Sequence, residues 1–256
     1  MSAAKSGLQR LIQGTPIERP SRALWRRVHP PAPRTPNQLL NDVYDGLTYE
    51  IIRRILPRDG CAVDVGCHVG KVLEEILHAA PDGEHHAFEP LPHLAERLRH
   101  EFPSVAIHEV ALSDHAGTST FQYAVEYPAY SGLHRRRYPG EATVQEITVE
   151  LAWLDDVLPA GQRVDFLKID VEGGELDVLR GAERIVVESQ PVVVFEWGDR
   201  AAAPYGASKV DVHRFFSHCG LVLSHLQAFV DGGPPMDEAE FLNTTGFMFV
   251  GHAPSR

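Results

Sequence analysis

A few acids and two glycines carry the chemistry in this sequence. The run Cys61–Gly70, CAVDVGCHVG, is an apolar stretch that reaches an acid, Asp64, and then Gly66 and Gly70. An apolar strand turning on glycines into a helix offers backbone N–H groups to a nucleotide-like cofactor. Glu89 lies 19 residues after Gly70, where an acid can accept the hydroxyls of a ribose. Asp170 and Glu196 each end a further apolar run, in VDFLKID and PVVVFEW, and Glu172 stands two residues after Asp170. Neighbouring strand ends would bring Asp170, Glu172 and Glu196 together. Such a trio can bind Mg²⁺, a hard cation that prefers oxygen. It can also raise the pKa of one acid until that acid serves as a base. The plainer alternative is that Asp170 or Glu172 caps the following helix.

The turn discriminates between cofactors where Glu89 does not. A dinucleotide needs G-x-G-x-x-G, whose second glycine lets the backbone approach a pyrophosphate. Here Cys67, His68 and Val69 fill the space between Gly66 and Gly70. S-adenosylmethionine has no phosphate and makes no such demand. Its amino-acid end carries an ammonium, which suits Asp64, and a carboxylate, which suits the turn amides.

The chain holds fourteen histidines, and most read as ordinary surface or core residues. His68 is set apart by its place in the turn. His134 follows Ser131-Gly132 in a stretch without period, EYPAYSGLHRRRYPGEA, that could arch over a cleft. Among the histidines it is the preferred general base. Arg135, Arg136 and Arg137 beside it would hold an anionic or sugar acceptor, or else form a solvated basic loop. Tyr123, Tyr127, Tyr130, Tyr138 and Trp197 are candidates for stacking on a sugar face, and several of them must be packing.

These residues require a framework of strands and helices. Leu40, Val43, Tyr44, Leu47, Ile51 and Ile55 recur at helical steps, and Pro57 and Gly60 end that helix. CAVDV, EHHAFEP, VAIHEVAL, VDFLKID and PVVVFEW read as strands. KVLEEILHAA, PHLAERLRHEF, GELDVLRGAERIVV and KVDVHRFFSHCG read as the helices between and after them. Alternation of this kind predicts an α/β fold, a doubly wound and mostly parallel sheet, Rossmann-like, with ligands at the carboxyl ends of its strands. TSTFQYAV and TVQEITVEL alternate with period two and predict a hairpin-like insertion. LVLSHL and GFMFVGH close the sheet, antiparallel.

Four stretches taken in order resemble the FkbM-type methyltransferase family: VDVGCHVG, AFEPLPHLAERL, VALSD with Gly117 following, and LDDVLPAGQRVDFLKIDVEGGELDVLRGA. PVVVFEW continues the resemblance, which covers roughly residues 51–197, and the closing GFMFVGH agrees with it. It implies the class I methyltransferase fold, with seven strands of which one is antiparallel. It also implies methyl transfer from S-adenosylmethionine, mostly to hydroxyl oxygens of sugars, glycolipids and polyketides. Carried over residue by residue, Asp64, Gly66 and Gly70 match the cofactor turn and Glu89 the ribose acid. Ala111, Leu112 and Asp114 match the stretch against the adenine. Asp170, Glu172, Gly173 and Glu175 match the acidic signature. The chain departs from the family at Cys67-His68, where Ala-Asn is usual, and at Gly174, where histidine is frequent.

Composition bounds the partners. With 43% hydrophobic and 23% charged residues the chain suits a globular domain. No apolar run approaches the roughly 20 residues that span a bilayer. Three cysteines without C-x-x-C spacing argue against a disulfide framework and point to a reducing cytoplasm. A net charge of −11 argues against nucleic acid as substrate. Residues 1–36 hold seven Lys or Arg against one acid and are broken by six prolines. They read as a basic arm outside the catalytic domain of residues 37–256, serving as a plain surface arm, a lid or a homodimer contact. The expectation is therefore an O-methyltransferase acting on a hydroxylated small molecule, saccharide first and polyketide next. The competing readings are an NAD-dependent oxidoreductase and a cofactor-binding scaffold without turnover.

Overall fold

The computed structural model describes residues 35–254. The basic arm, apart from Thr35 and Pro36, lies outside them. The chain divides into two compact units, residues 1–43 and 44–256. Of the first, the described part is the opening of helix α1 (Pro36–Ile55). Thr35 and Gln38 cap it reciprocally, Thr35 N–H to Gln38 Oε1 and Gln38 N–H to Thr35 Oγ1, with Pro36 as the first helical residue.

The second unit is built on a seven-stranded sheet. Its strands are β1 (Ala62–Val65), β2 (His85–Phe88), β3 (Val105–His108), β7 (Phe166–Ile169), β8 (Val192–Glu196), β9 (Val222–His225) and β10 (Met248–His252). Their spatial order is β3-β2-β1-β7-β8-β10-β9. The first five run parallel, and β10 is antiparallel to both of its neighbours. The strands β1, β2 and β7 are buried throughout, because helices cover both faces of a parallel sheet. Period two divides their side chains between two cores. Val63, Val65, Leu167, Ile169, Val193 and Phe195 pack on one face. Ala62, Phe166, Val192 and Val194 pack on the other, with Ile51 and Ile52 of α1.

Helix α2 (Lys71–Ala79) turns Leu73 and Ile76 inward, and α3 (Pro92–Glu101) turns in Leu94, Ala95 and Leu98. A short α4 (Leu154–Val157) precedes β7. The run GELDVLRGAERIVV is two helices, α5 (Glu175–Arg180) and α6 (Glu183–Ser189). The break arises from outside the run. The carboxylate of Asp155 caps α6, accepting from Arg184 N–H at 2.7 Å and Ile185 N–H at 3.1 Å. Two short elements follow β8, α7 (Asp199–Ala202) and a 3₁₀ turn (Ala203–Tyr205). Helix α8 (Lys209–His218) starts on a Ser208/Asp211 capping box. Helices α9 (Leu226–Asp231) and α10 (Glu238–Asn243) lie between β9 and β10.

The run VAIHEVAL also divides. Only its first half is β3. Its second half is β4 (Ala111–Leu112), which leaves for a separate sheet of order β4-β6-β5. There β5 (Gly117–Ala124) and β6 (Val144–Ala152) form an antiparallel hairpin, the insertion that the alternating patterns predict. Phe121, Val149 and Leu151 pack this sheet onto Leu91 and Leu94. The loop 125–143 at the hairpin's end contains a 3₁₀ turn, Pro128–Tyr130.

Strand order reverses between β1 and β7, and this switch point is where open α/β sheets bind ligands. Gly66 makes the junction. Its φ is +76°, and a Cβ there would lie 1.9 Å from the carbonyl oxygen of Asp170. We expect Gly66→Ala to destabilise the fold by about 2–5 kcal/mol, from left-handed strain plus overpacking. Gly161→Ala should cost only about 1–2 kcal/mol, since Gly161 has φ +81° with open space around it. Urea unfolding of both variants checks this, and equal losses would show that the close approach is dispensable.

Candidate functional site

A cleft opens at the carboxyl ends of β1, β2 and β7 and encloses about 670 Å³, including solvent at its mouth. Gly66, His68, Glu89, Ala111, Leu112, Asp170 and Glu172 line it. The structure thus brings seven of the sequence-predicted residues to one cavity. Phe88, Leu91 and Phe121 make its apolar wall, and Pro128, Ala129, Ser131 and Leu133 of the 125–143 loop close its far side.

Glu89 follows β2 and is 4% exposed. Its Oε2 accepts the His68 N–H and its Oε1 the Leu91 N–H, each at 3.0 Å. The side chain therefore ties the glycine turn to the start of α3. His68 has φ +50°, a left-handed backbone that asparagine and histidine tolerate better than most residues. That tolerance accounts for histidine where the resembling family has asparagine. Burial pushes the Glu89 carboxyl up to about 7, against the pull of the two amides.

Gly70 does not line the cleft. It stands at the start of α2 with φ +80°, and a Cβ there would meet Phe102 and Leu98. Its role is to let α2 pack against α3. Asp114 is likewise turned away, its Oδ1 2.8 Å from His115 Nδ1. Ser113 and Asp177 line the wall near that point instead. Asp64 lies beneath the turn, with no accessible surface and neither oxygen hydrogen-bonded. Burial raises it to about 6, although the Lys168 charge draws it down.

Lys168 was not visible as a site residue in the sequence. It sits in register with Asp64 across β1 and β7 and is 8% exposed. Its Nζ is 3.1 Å from Asp170 Oδ2 and 3.8 Å from Asp64 Oδ1. Burial works against its charge, yet Asp170 and Asp64 together raise its pKa. Asp170 keeps a third of its side-chain surface open. Burial alone would raise it, but Lys168 and a hydrogen bond from Glu196 hold it below the ordinary range. Glu196 takes the opposite shift, raised by burial and by the neighbouring Asp170 charge. Of the two, Glu196 is therefore the group that a proton favours.

The expected Mg²⁺ trio is not assembled. Asp170 and Glu196 meet, but Glu172 is turned to Arg136 in an ion pair. Among the described residues no group of three or more His, Cys, Asp or Glu side chains could hold a metal ion. His134 is exposed and outside the cleft lining, its ring packed edge-on against Tyr205 at 4.4 Å. Trp197 is 1% exposed with Nε1 bonded to Asp199, so it is packing and not a sugar platform.

Two further residues were missed. Glu175 was read only as part of a signature. It is buried, and its Oε1 accepts from Val171 N–H at 3.2 Å and Gly173 N–H at 3.0 Å. It holds the turn after β7 as Glu89 holds the turn after β1. Tyr205 lines the cleft over Gly174, where a Cβ would lie 3.1 Å from its ring. Glycine at 174 leaves the room that the tyrosine ring fills.

The sequence model of the "Methyltransferase FkbM domain" matches residues 64–223, more than half of the chain. The chain belongs to this family. It carries an S-adenosylmethionine-dependent methyltransferase domain of FkbM type. Among its relatives, the AMB antimetabolite synthetase AmbE of Pseudomonas aeruginosa is 29% identical over 184 residues, 57% of this chain. The chain spans only 9% of that protein's length. The methyltransferase sdnD of Sordaria araneosa is 28% identical, covering 65% of this chain and 76% of sdnD. The 2-O-methyltransferase NoeI of Sinorhizobium fredii is 26% identical, covering 59% of this chain and 68% of NoeI. Among the described residues of this FkbM-type domain no helix is long and apolar enough to cross a membrane.

The raised Glu89 has a thermodynamic consequence. Its carboxyl titrates near 4.5 in the unfolded chain and about 7 in the folded one. Between those values the folded state holds a proton that the unfolded state has lost. Its contribution to stability therefore falls as pH rises through that window and is flat above it. We expect the stability of the native chain relative to Glu89→Gln to fall by about 2–3 kcal/mol between pH 4.5 and 8. Urea unfolding of both proteins across that range measures it. A pH-independent difference would mean that Glu89 titrates alike in the folded and unfolded chain.

Proposed function

We propose that this chain transfers the methyl group of S-adenosylmethionine to a hydroxyl oxygen of a small acceptor, a saccharide or glycoconjugate before a polyketide. The observation that carries the reading is that Glu89 and Asp170 line one cleft on either side of the Gly66–His68 turn. One acid suits a ribose and the other a reacting hydroxyl. The family assignment supports the cofactor over a dinucleotide. The relative named a 2-O-methyltransferase supports oxygen as the acceptor atom.

The residues present fit the cofactor. Glu89 keeps free acceptor capacity beyond its two amide bonds and would hold the ribose hydroxyls. Ala111, Leu112, Phe88 and Leu91 offer an apolar slot for the base. The amino-acid end would lie over the Gly66–His68 turn, whose own N–H groups are donated to the Phe88 carbonyl and to Glu89, with the charge of buried Asp64 acting from beneath it. Bound there, S-adenosylmethionine supplies an electrophilic methyl on a sulfonium, which needs no acid to depart as a neutral thioether.

Asp170 is the group we assign to the acceptor proton. Its low pKa is no obstacle, because a hydroxyl becomes strongly acidic as its oxygen gains a third bond and oxonium character. An ionised carboxylate placed at that oxygen suffices. Glu196 beside it, its carboxyl raised by burial and by the Asp170 charge, shares a hydrogen bond with it that would keep the carboxylate oriented. Positioning does the rest. His134 has no part in this reading.

Calorimetry with S-adenosylmethionine and NAD tests the cofactor, and methyl-labelled cofactor with a panel of sugars, glycolipids and polyketides tests the acceptor. We expect binding of S-adenosylmethionine alone. We expect Glu89→Ala to weaken that binding by about 1–3 kcal/mol. Asp170→Asn should keep cofactor affinity and lose about 100-fold or more in methyl transfer. Binding of NAD in place of S-adenosylmethionine, or full turnover by Asp170→Asn, would overturn the proposal.

A further inference from the structure

We propose that Lys168 is the resident counter-cation of this site, standing where a divalent metal would otherwise be needed, and that it positions Asp170 for the reaction. The inference rests on the methyl-transfer reading for the role of Asp170, but its geometry does not.

The carboxyl ends of three adjacent strands, β1, β7 and β8, place Asp64, Asp170 and Glu196 at one sheet edge. Carboxylates so close cannot all ionise without a cation among them. An enzyme can recruit a metal or supply a side chain. Here the side chain is already in place. Lys168 starts deep in the central strand β7, on the same face as Asp64 and Phe166. Its Nζ ends between Asp64 and Asp170 at 3.8 and 3.1 Å. Tyr49, Cys67, His68 and Glu89 also feel this charge or its partners. None of them is a cation that could replace it. The guanidinium of Arg136 also acts on Asp170, but it is engaged with Glu172.

An ammonium at this point has two effects. With its Nζ 3.1 Å from Asp170 Oδ2, it favours the ionised form of that carboxyl. It also fixes one carboxylate oxygen of Asp170, Oδ2. A lysine delivers that as a point charge with a geometry set by the strand. A metal at the same point would lie within contact distance of Nζ, and the repulsion would exclude it.

The test uses the intact protein. Wild type is dialysed against EDTA, titrated calorimetrically with MgCl₂ alone, and assayed for methyl transfer with whichever acceptor the panel returns. We expect no saturable Mg²⁺ binding, and cofactor affinity and turnover that change less than about twofold with EDTA or Mg²⁺. Lys168→Met should lower kcat by about 100-fold while KM for S-adenosylmethionine moves less than about fivefold. Lys168→Arg, which keeps the charge, should recover turnover to within about tenfold of wild type. Micromolar Mg²⁺ binding by wild type, loss of turnover in EDTA with rescue by Mg²⁺, or full kcat in Lys168→Met would each overturn the inference. If Lys168→Met does not fold, the wild-type metal titration and Lys168→Arg decide the matter. If wild type binds no S-adenosylmethionine, the methyl-transfer reading fails, and the Mg²⁺ titration still judges the counter-cation.

Discussion

A single buried ammonium sets the conditions for the whole carboxyl edge of this sheet. Taking an ion pair out of water costs several kcal/mol per ion unless each charge meets a partner. Lys168 meets Asp170 and Asp64 at once, and Asp170 meets Glu196 in turn. The cluster persists because the fold brings β1, β7 and β8 side by side in one register. That register also forces Gly66, since the chain leaving β1 must pass under the carbonyl of Asp170. The charge cluster and the close backbone approach are thus two results of the same strand pairing.

The turns that leave β1 and β7 are held by one device used twice. In each, a carboxylate out of the turn reaches back to bond backbone N–H groups, Glu89 to His68 and Glu175 to Val171 and Gly173. Each turn also contains a non-glycine residue with left-handed backbone, His68 at φ +50° and Glu172 at φ +64°. Such conformations cost about 1–3 kcal/mol and last only where neighbours over-determine them. The bonding acids supply that determination. They also explain why both turns hold His68, Asp170 and Glu172 at the cleft in fixed positions while lacking repetitive structure.

Much of this was legible in the sequence, for identifiable reasons. Buried parallel strands read as apolar runs, so the order of strands and helices and the placing of Glu89 and Asp170 at strand ends followed from pattern alone. The hairpin of β5 and β6 was announced by alternation. The divided runs were not legible, because the cause of each lies elsewhere in the chain. Asp155 caps α6 from 29 residues upstream of Arg184, and β4 leaves the line of β3 to pair with β6. Lys168 was hidden for a related reason. A lysine in FLKI looks like an interruption of a strand, and only the register opposite Asp64 reveals its partner. Asp114 and Gly70 were assigned to the cofactor from family resemblance, yet one turns to His115 and the other to helix packing. His134 was valued for its chemistry, and no pattern in one chain tells that a ring will lie on Tyr205.

The two sides of the cleft differ in construction, and the difference bears on specificity. The cofactor side is made of strand ends and their turns, rooted in both cores. The opposite side is the 125–143 loop, joined to its own hairpin by the Gln122–Gly132 bridge, the Ser131 hydroxyl accepting from Ala124 N–H, and Glu126 on Thr143. Loops of this kind accept sequence change without loss of the scaffold. Two side chains of the rigid part nevertheless reach the loop. Tyr205 accepts hydrogen bonds from the amides of Leu133 and His134, and Glu172 pairs with Arg136, whose guanidinium lies 5.1 Å from the centre of the Tyr130 ring. Both anchors stand beside Asp170 on the cleft lining. The loop can therefore vary in what it presents to the cleft while these two anchors keep its distance from the Asp170 carboxylate fixed.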